Sequence, residues 1–423
     1  MGSTNELTAE TAPGTRRGAD RPLVEPPRLR TGERGERKTT WMELFFDLVF
    51  VVAVDQVARG LSDAVTGGAV LGYLVLAVPV WWAWVGYVYY VDRFGTDDLS
   101  DRLITLVQMG AALAFAVAAA RGLESGSGAF ALAYGTFRVV LALGYAVAAW
   151  KARAARPLAA RFAAGYGLAA LCWLASAFVP PPARFVLWGA GVVADVGTPL
   201  VFARFNTEFP PNAGHLQERF GNFTLIVLGE GAAGVVEALR DIQWTIAVGA
   251  VAALALVIGF AMWWAYFETS DGAPVEAVRQ DGRTGPYNAW LYAHLPLTAG
   301  VAAAAIAMQH AIEEATRPAL SDPARWLLAG SLALAFAALG VLDLAYAAAG
   351  GAARWSGPHA WWAFAASAAA LAVGALAGSI SALGVAGLLA VACVLPVALD
   401  LARRARARRR AMAAAEGATP LAA

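Results

Sequence analysis

The sequence predicts an all-α integral membrane protein of about twelve transmembrane helices, and three observations predict it. Apolar residues make up 59% of the 423-residue chain and charged residues only 15%, against roughly 45–50% and 25% in a soluble globular domain. Apolar runs of about 18–24 residues recur from Trp41 to Leu399, each long enough to cross a hydrocarbon core of roughly 30 Å at 1.5 Å per residue. Lys and Arg are also spread unevenly between the loops, as the positive-inside rule expects of a membrane protein.

Taken in order, residues 1–40 are polar and rich in Arg, Pro and Gly, and read as a disordered cytoplasmic segment. They lack the apolar core that a cleaved signal requires, so the first span serves as the insertion signal. Spans are expected near 44–61, 68–91, 102–120, 129–150, 161–179, 184–203, 220–239, 244–267, 290–310, 326–349, 360–377 and 380–399. The last two are separated only by a short small-polar stretch around Ser379 and could form one bent element, giving eleven. Charge favours twelve: 25 of the 32 Lys and Arg then fall on the side holding both termini and 6 on the other, with Arg138 inside a span. Both termini are therefore expected in the cytoplasm of a cell whose inner, or plasma, membrane holds the chain. Residues 400–423 form a basic tail. An Arg cluster directly after a final span reads as an anchor to anionic lipid, not to nucleic acid.

Internal similarity divides the membrane region into 41–203 and 218–399, joined by a cytoplasmic linker at 204–217 containing Pro210, Pro211 and Gly214. Glu43 precedes Asp55 by the same 12 residues that separate Glu218 from Glu230, and Trp81-Trp82-Ala83-Trp84 is echoed by Trp263-Trp264-Ala265-Tyr266. A fainter echo relates Asp195, Pro199 and Arg204 to Asp400, Pro396 and Arg403. Six spans per unit is an even number, so the two repeats would enter the membrane in parallel orientation.

Ionisable groups inside apolar spans are costly and mark functional candidates. Glu43 and Asp47 are four residues apart, on one helix face, and Asp55 lies about two turns further on. Glu43 reads either as a functional carboxylate or as an acid at the helix N-terminus favoured by the dipole. Arg138 is the intramembrane counter-charge, with its partner open. Asp195 lies within the sixth span. Glu230 stands between Gly229 and Gly231, which permit close helix approach. Glu218 and Arg219 open the same helix, where they could form a surface ion pair. His294, two residues before Pro296, reads as a cavity-lining group or as a packing residue. The Trp and Tyr clusters read as interfacial belts, with an aromatic cavity for an apolar or cationic ligand as the alternative. Cys172 and Cys393 lie inside spans and suit neither a disulfide nor a metal site.

Glu43-Leu44-Phe45-Phe46-Asp47-Leu48-Val49-Phe50-Val51 resembles the opening signature of the bacterial low temperature requirement protein A family. The stretch from Glu218 through Gly221-Asn222-Phe223-Thr224 to Gly229-Glu230 resembles its second signature, and His294-Leu295-Pro296 a third element. The resemblance implies a multipass membrane protein from Trp41 to about Leu399. The family is named for a growth requirement in the cold, and the likeness carries no catalytic assignment.

No phosphate-binding loop, metalloprotease motif or nucleophile elbow occurs, so the chain is expected to be neither an ATP-driven pump by itself nor an enzyme, and to need no cofactor or metal. The leading expectation is a secondary transporter or ion translocator in contact with membrane lipid, moving protons, cations or a small solute. Its pathway residues would be drawn from Glu43, Asp47, Asp55, Arg138, Asp195, Glu218, Arg219, Glu230 and His294. The alternatives are a non-transporting factor in envelope or cold adaptation and a membrane-embedded lipid enzyme.

Overall fold

A computed structural model describes residues 25–29, 37–62, 65–201, 208–268, 270, 272–350 and 359–417. Of the polar segment 1–40 only 25–29 and 37–40 are described, and linker residues 204–207, with Arg204, lie outside the described residues.

The described residues form thirteen α-helices: α1 (Trp41–Ala58), α2 (Gly67–Phe94), α3 (Leu99–Ala119), α4 (Gly122–Lys151), α5 (Arg156–Ala177), α6 (Ala183–Val201), α7 (Ala213–Arg240), α8 (Ile246–Phe267), α9 (Ala273–Asp281), α10 (Thr284–Glu313), α11 (Asp322–Ala348), α12 (His359–Leu376) and α13 (Ala382–Gly417). Each of the twelve expected spans coincides with one of them. Among the described residues, ten helices are long and apolar enough to cross a membrane. Outside that set stand α1, which carries three carboxylates in 18 residues, and α12, whose apolar stretch Ala360–Leu376 is short. Residues 377–381 separate α12 from α13, so these are two helices and not one bent element. The unexpected helix, α9, is only nine residues long. It buries Val275 and Val278 and ends at Gly282, whose φ of 67° is a left-handed cap that glycine supplies without strain.

Local chemistry sets the helix starts. Thr40, Thr66, Asp98, Asn212 and Thr245 each accept a backbone N–H of the first turn through the side chain, satisfying a donor that has no partner within the helix. Pro157, Pro274 and Pro323 sit in the first turns of α5, α9 and α11, where the missing N–H costs nothing.

The helices α10 and α11 pack closely, as do α4 and α5, while α1 contacts α2, α3 and α7. At Gly300 on α10 an added Cβ would lie 2.8 Å from backbone atoms of Ser331 and Ala335, so the small residue sets how near α11 comes. One aromatic-rich core runs through both halves of the chain. Trp81, Trp82 and Trp84 are in it, at most 2% exposed, and so do not form the interfacial belt that their clustering implied. Of the echoing group, Trp263 is 37% exposed.

Candidate functional site: a buried charge network

Three helix ends and one preceding segment bring the site together. On α1, Thr40 and Glu43 form a reciprocal capping box, which fixes the first turn. That turn places Glu43 and Asp47, one turn apart, on the face packed against α2 and α7. On α7, Asn212 caps the helix by accepting the N–H of His215 at 3.0 Å. His215 and Arg219, again four residues apart, then point at α1. On α2, Trp84 and Asp92 are eight residues apart and share a face.

His215 is the centre of the network. Its Nδ1 lies 2.8 Å from Asp92 Oδ1 and its Nε2 2.9 Å from Glu43 Oε2. Arg219 reaches Glu43 at 3.3 Å and donates to Asp47 Oδ1 at 2.6 Å, and Trp84 Nε1 donates to the same oxygen at 2.7 Å. The Asn212 N–H donates to Asp92 Oδ2 at 3.1 Å. From the segment before α1, Arg37 donates to Glu43 Oε1 at 2.5 Å and to the carbonyls of Val91 and Asp92 at 2.8 and 3.0 Å. Side-chain exposure is at most 3% for Glu43, Asp47, Asp92, His215 and Arg219. The rings of Phe220 and Phe223 pack on Trp84, and Tyr87 stacks on Phe46.

The proton count follows from these contacts. A neutral imidazole has one N–H and one lone pair, so it can donate to one carboxylate only. Here both ring nitrogens face carboxylate oxygens at hydrogen-bond distance, which requires one further proton, on the ring or on one of the two acids. The three acids Glu43, Asp47 and Asp92 are matched in number by Arg37, Arg219 and Arg93, which is buried and acts electrostatically on Asp92, so the extra proton follows from the two ring nitrogens and not from the charge count.

The other expected residues separate into distinct places. Arg138 and Asp195 form their own buried pair between α4 and α6: Arg138 Nε donates to Asp195 Oδ2 at 3.0 Å, and Tyr134 donates to the same oxygen at 2.9 Å. Gly86 of α2 makes room for this pair, since a Cβ there would stand 2.7 Å from Arg138 Nη1. Asp55 is bonded to Arg59, one turn on, at 2.7 Å. Glu230 is half-buried on α7 and within electrostatic reach of Asp55 and Arg59; eleven residues, about 16 Å of helix, separate it from Arg219. Its flanking glycines do not bring a helix close: nothing lies within 4 Å of a Cβ at Gly229, and Gly231 meets only Ala305 at 3.4 Å. Glu218 is exposed and accepts the Thr39 N–H at 3.1 Å, so it does not pair with the buried Arg219. The two members of the sequence echo, Glu43 and Glu218, thus occupy opposite environments. His294 donates through Nδ1 to the Trp290 carbonyl at 2.7 Å and accepts from Tyr266 at 3.0 Å. Among the described residues, no group of three or more His, Cys, Asp or Glu side chains is arranged to hold a metal ion.

The sequence reading missed His215, Asp92, Arg37 and the bond from Trp84. A signal for His215 was present. His215 and Arg219 repeat, with basic groups, the four-residue spacing of Glu43 and Asp47, but His215 was assigned to a linker that in fact begins a helix.

The family described as bacterial low temperature requirement A protein (LtrA) matches residues 38–398. The chain belongs to this family. The match covers α1 through most of the membrane part of α13 and includes Glu43, Asp47, Asp92, His215 and Arg219. A relative in Rhizobium meliloti (strain 1021), "Uncharacterized protein RA0937", is 26% identical over 288 residues, 64% of this chain and 69% of the relative. No solved structure matches the chain. The LtrA assignment agrees with a multipass helical membrane protein.

Proposed function

We propose that this LtrA protein is a non-enzymatic secondary transporter or ion translocator that carries a proton on the Asp92–His215–Glu43 bridge. One observation carries the reading: an imidazole held between two buried carboxylates, with a third acid, Asp47, joined through Arg219. Proton relays in membrane proteins are built from chains of Asp, Glu and His. The bridge also forms where α1 and α2 of the first half meet α7 of the second, the junction at which alternating access operates in proteins built of two halves. In this reading α1 and α12 complete twelve crossings of the plasma membrane, both termini are cytoplasmic, and the bridge lies near the cytoplasmic ends of its helices. Glu230 and Asp47, which the sequence joined in one pathway, belong to separate groups, so Glu230 is not part of the relay.

A second reading is favoured by the sealing itself. Asp47 has no exposed surface, and a network closed on every side would equally serve a non-transporting membrane factor in which it fixes helix packing. Purified protein in liposomes containing a pH-sensitive dye, placed under imposed ion gradients, separates the two. Transport predicts flux that His215→Gln and Glu43→Gln abolish in folded protein. Absence of flux under every proton, sodium and potassium gradient would favour the packing role.

A further inference from the structure

We infer that Arg37, outside the first helix, is the closing residue of the network: it blocks the route by which water and protons reach His215. The inference rests on the proposed relay only for its purpose and on geometry for its existence.

Arg37 is the outermost member of the group. Its side chain is 14% exposed, against 3% for Glu43, 1% for Asp92 and none for His215. Its guanidinium spans two elements, bonding Glu43 on α1 while donating to the carbonyls of Val91 and Asp92 near the end of α2. Those carbonyls belong to the last turn of a helix, where the dipole favours a cation; the Val91 carbonyl also accepts the Gly95 N–H at 3.0 Å and takes Arg37 as a second donor. The planar fork of arginine can fill both sets of acceptors at once, and the single ammonium of lysine cannot. The backbone beside Arg37 is also held, since Thr39 N–H donates to Glu218 Oε2 on α7 and Thr40 caps α1. One side chain therefore crosses the gap between α1 and α2 directly over the carboxylate that His215 touches.

Closure by a single charged side chain is reversible. Arg37 holds Glu43 through one Glu43 oxygen while His215 and Arg219 hold the other. Withdrawing the guanidinium exposes Glu43 without dismantling the bridge to Asp92.

The test is the reactivity of His215 toward diethyl pyrocarbonate in the full-length protein in liposomes, read by site-resolved mass spectrometry. His310, which is partly exposed, serves as the internal standard. In the wild type His215 should react at least about tenfold more slowly than His310. Arg37→Ala should raise the His215 rate about tenfold, and Arg37→Lys by an intermediate amount. Ethylguanidinium added to the Arg37→Ala protein should restore protection, a rescue that general loosening of the fold would not show. An unchanged His215 rate in Arg37→Ala, or faster labelling that ethylguanidinium leaves untouched, would overturn the assignment. Proton flux is measured on the same liposomes: unmasking of His215 with no flux in any variant upholds the closing role and counts against the proton relay.

Discussion

Two buried charge groups lie within this membrane domain, and they are built differently. The Arg138–Asp195 pair has one cation and one anion, completed by the hydroxyl of Tyr134 and the rings of Tyr134 and Tyr166. It balances without any proton being shared. The network around His215 draws on three helices and a preceding segment, and both nitrogens of its imidazole face carboxylate oxygens, so its hydrogen bonds close only with an extra proton. Burial alone does not separate them, since both are about as deeply enclosed. What separates them is whether the hydrogen bonds need a proton beyond those that a neutral imidazole and two carboxylates hold. A closed ion pair is weak support for function because it often fixes packing, whereas an imidazole between two carboxylates offers a proton more than one place to reside.

If the comparison is right, the closed pair should be the more sensitive to losing a partner. Arg138→Ala leaves Asp195 with no cation in an apolar surrounding and should lower stability by about 3–5 kcal/mol. Arg138→Met with Asp195→Leu removes both charges and should recover most of that loss. Thermal unfolding in detergent checks both, and a double variant no more stable than Arg138→Ala would show that this pair does more than pack.

His215→Gln should cost less, about 1–3 kcal/mol, because the amide N–H can still donate to one of the two carboxylates while the titratable ring is lost. It therefore sharpens the contrast, with modest destabilisation and complete loss of flux. A stable His215→Gln protein with wild-type flux would exclude the bridge from transport.

Gly86 tests whether the two groups are mechanically independent. It lies two residues after Trp84, which bonds Asp47, and its missing Cβ gives Arg138 its space. Gly86→Ala should overpack this contact and cost about 1–3 kcal/mol, while leaving His215 as protected from diethyl pyrocarbonate as in the wild type. Faster labelling of His215 would mean that α2 couples the two groups.

Helix existence was legible in the sequence because apolar length alone dictates it; every expected span has its helix. Individual site residues were legible where spacing placed them on one face, as with Glu43 and Asp47. Partners were not, because a contact such as Asp92 to His215 joins residues 123 apart and depends on which helices pack together. Reading residues 204–217 as a linker concealed His215, since Pro210, Pro211 and Gly214 signalled a loop and the capping role of Asn212 went unrecognised. The Trp81–Trp84 cluster misled for another reason: indole rings suit a lipid interface and a buried aromatic core equally well, and only packing decides.

The smallest expected effect concerns Glu230, one of the pathway residues expected from the sequence. It is half-buried, has Arg59 within electrostatic reach, and stands beside a glycine with empty space in front of it. Glu230→Gln should therefore change stability by no more than about 0.5 kcal/mol, as for an accessible surface substitution, and leave flux intact. Gly229→Ala should be neutral or stabilising by up to about 1 kcal/mol, since a helix interior favours alanine and the new methyl meets nothing. Both are read by the same unfolding and flux assays. Loss of flux in a fully stable Glu230→Gln protein would put a second carboxylate on the pathway, about three helical turns beyond Arg219, and the relay would then have to extend along α7 from the closed network toward Asp55 and Arg59.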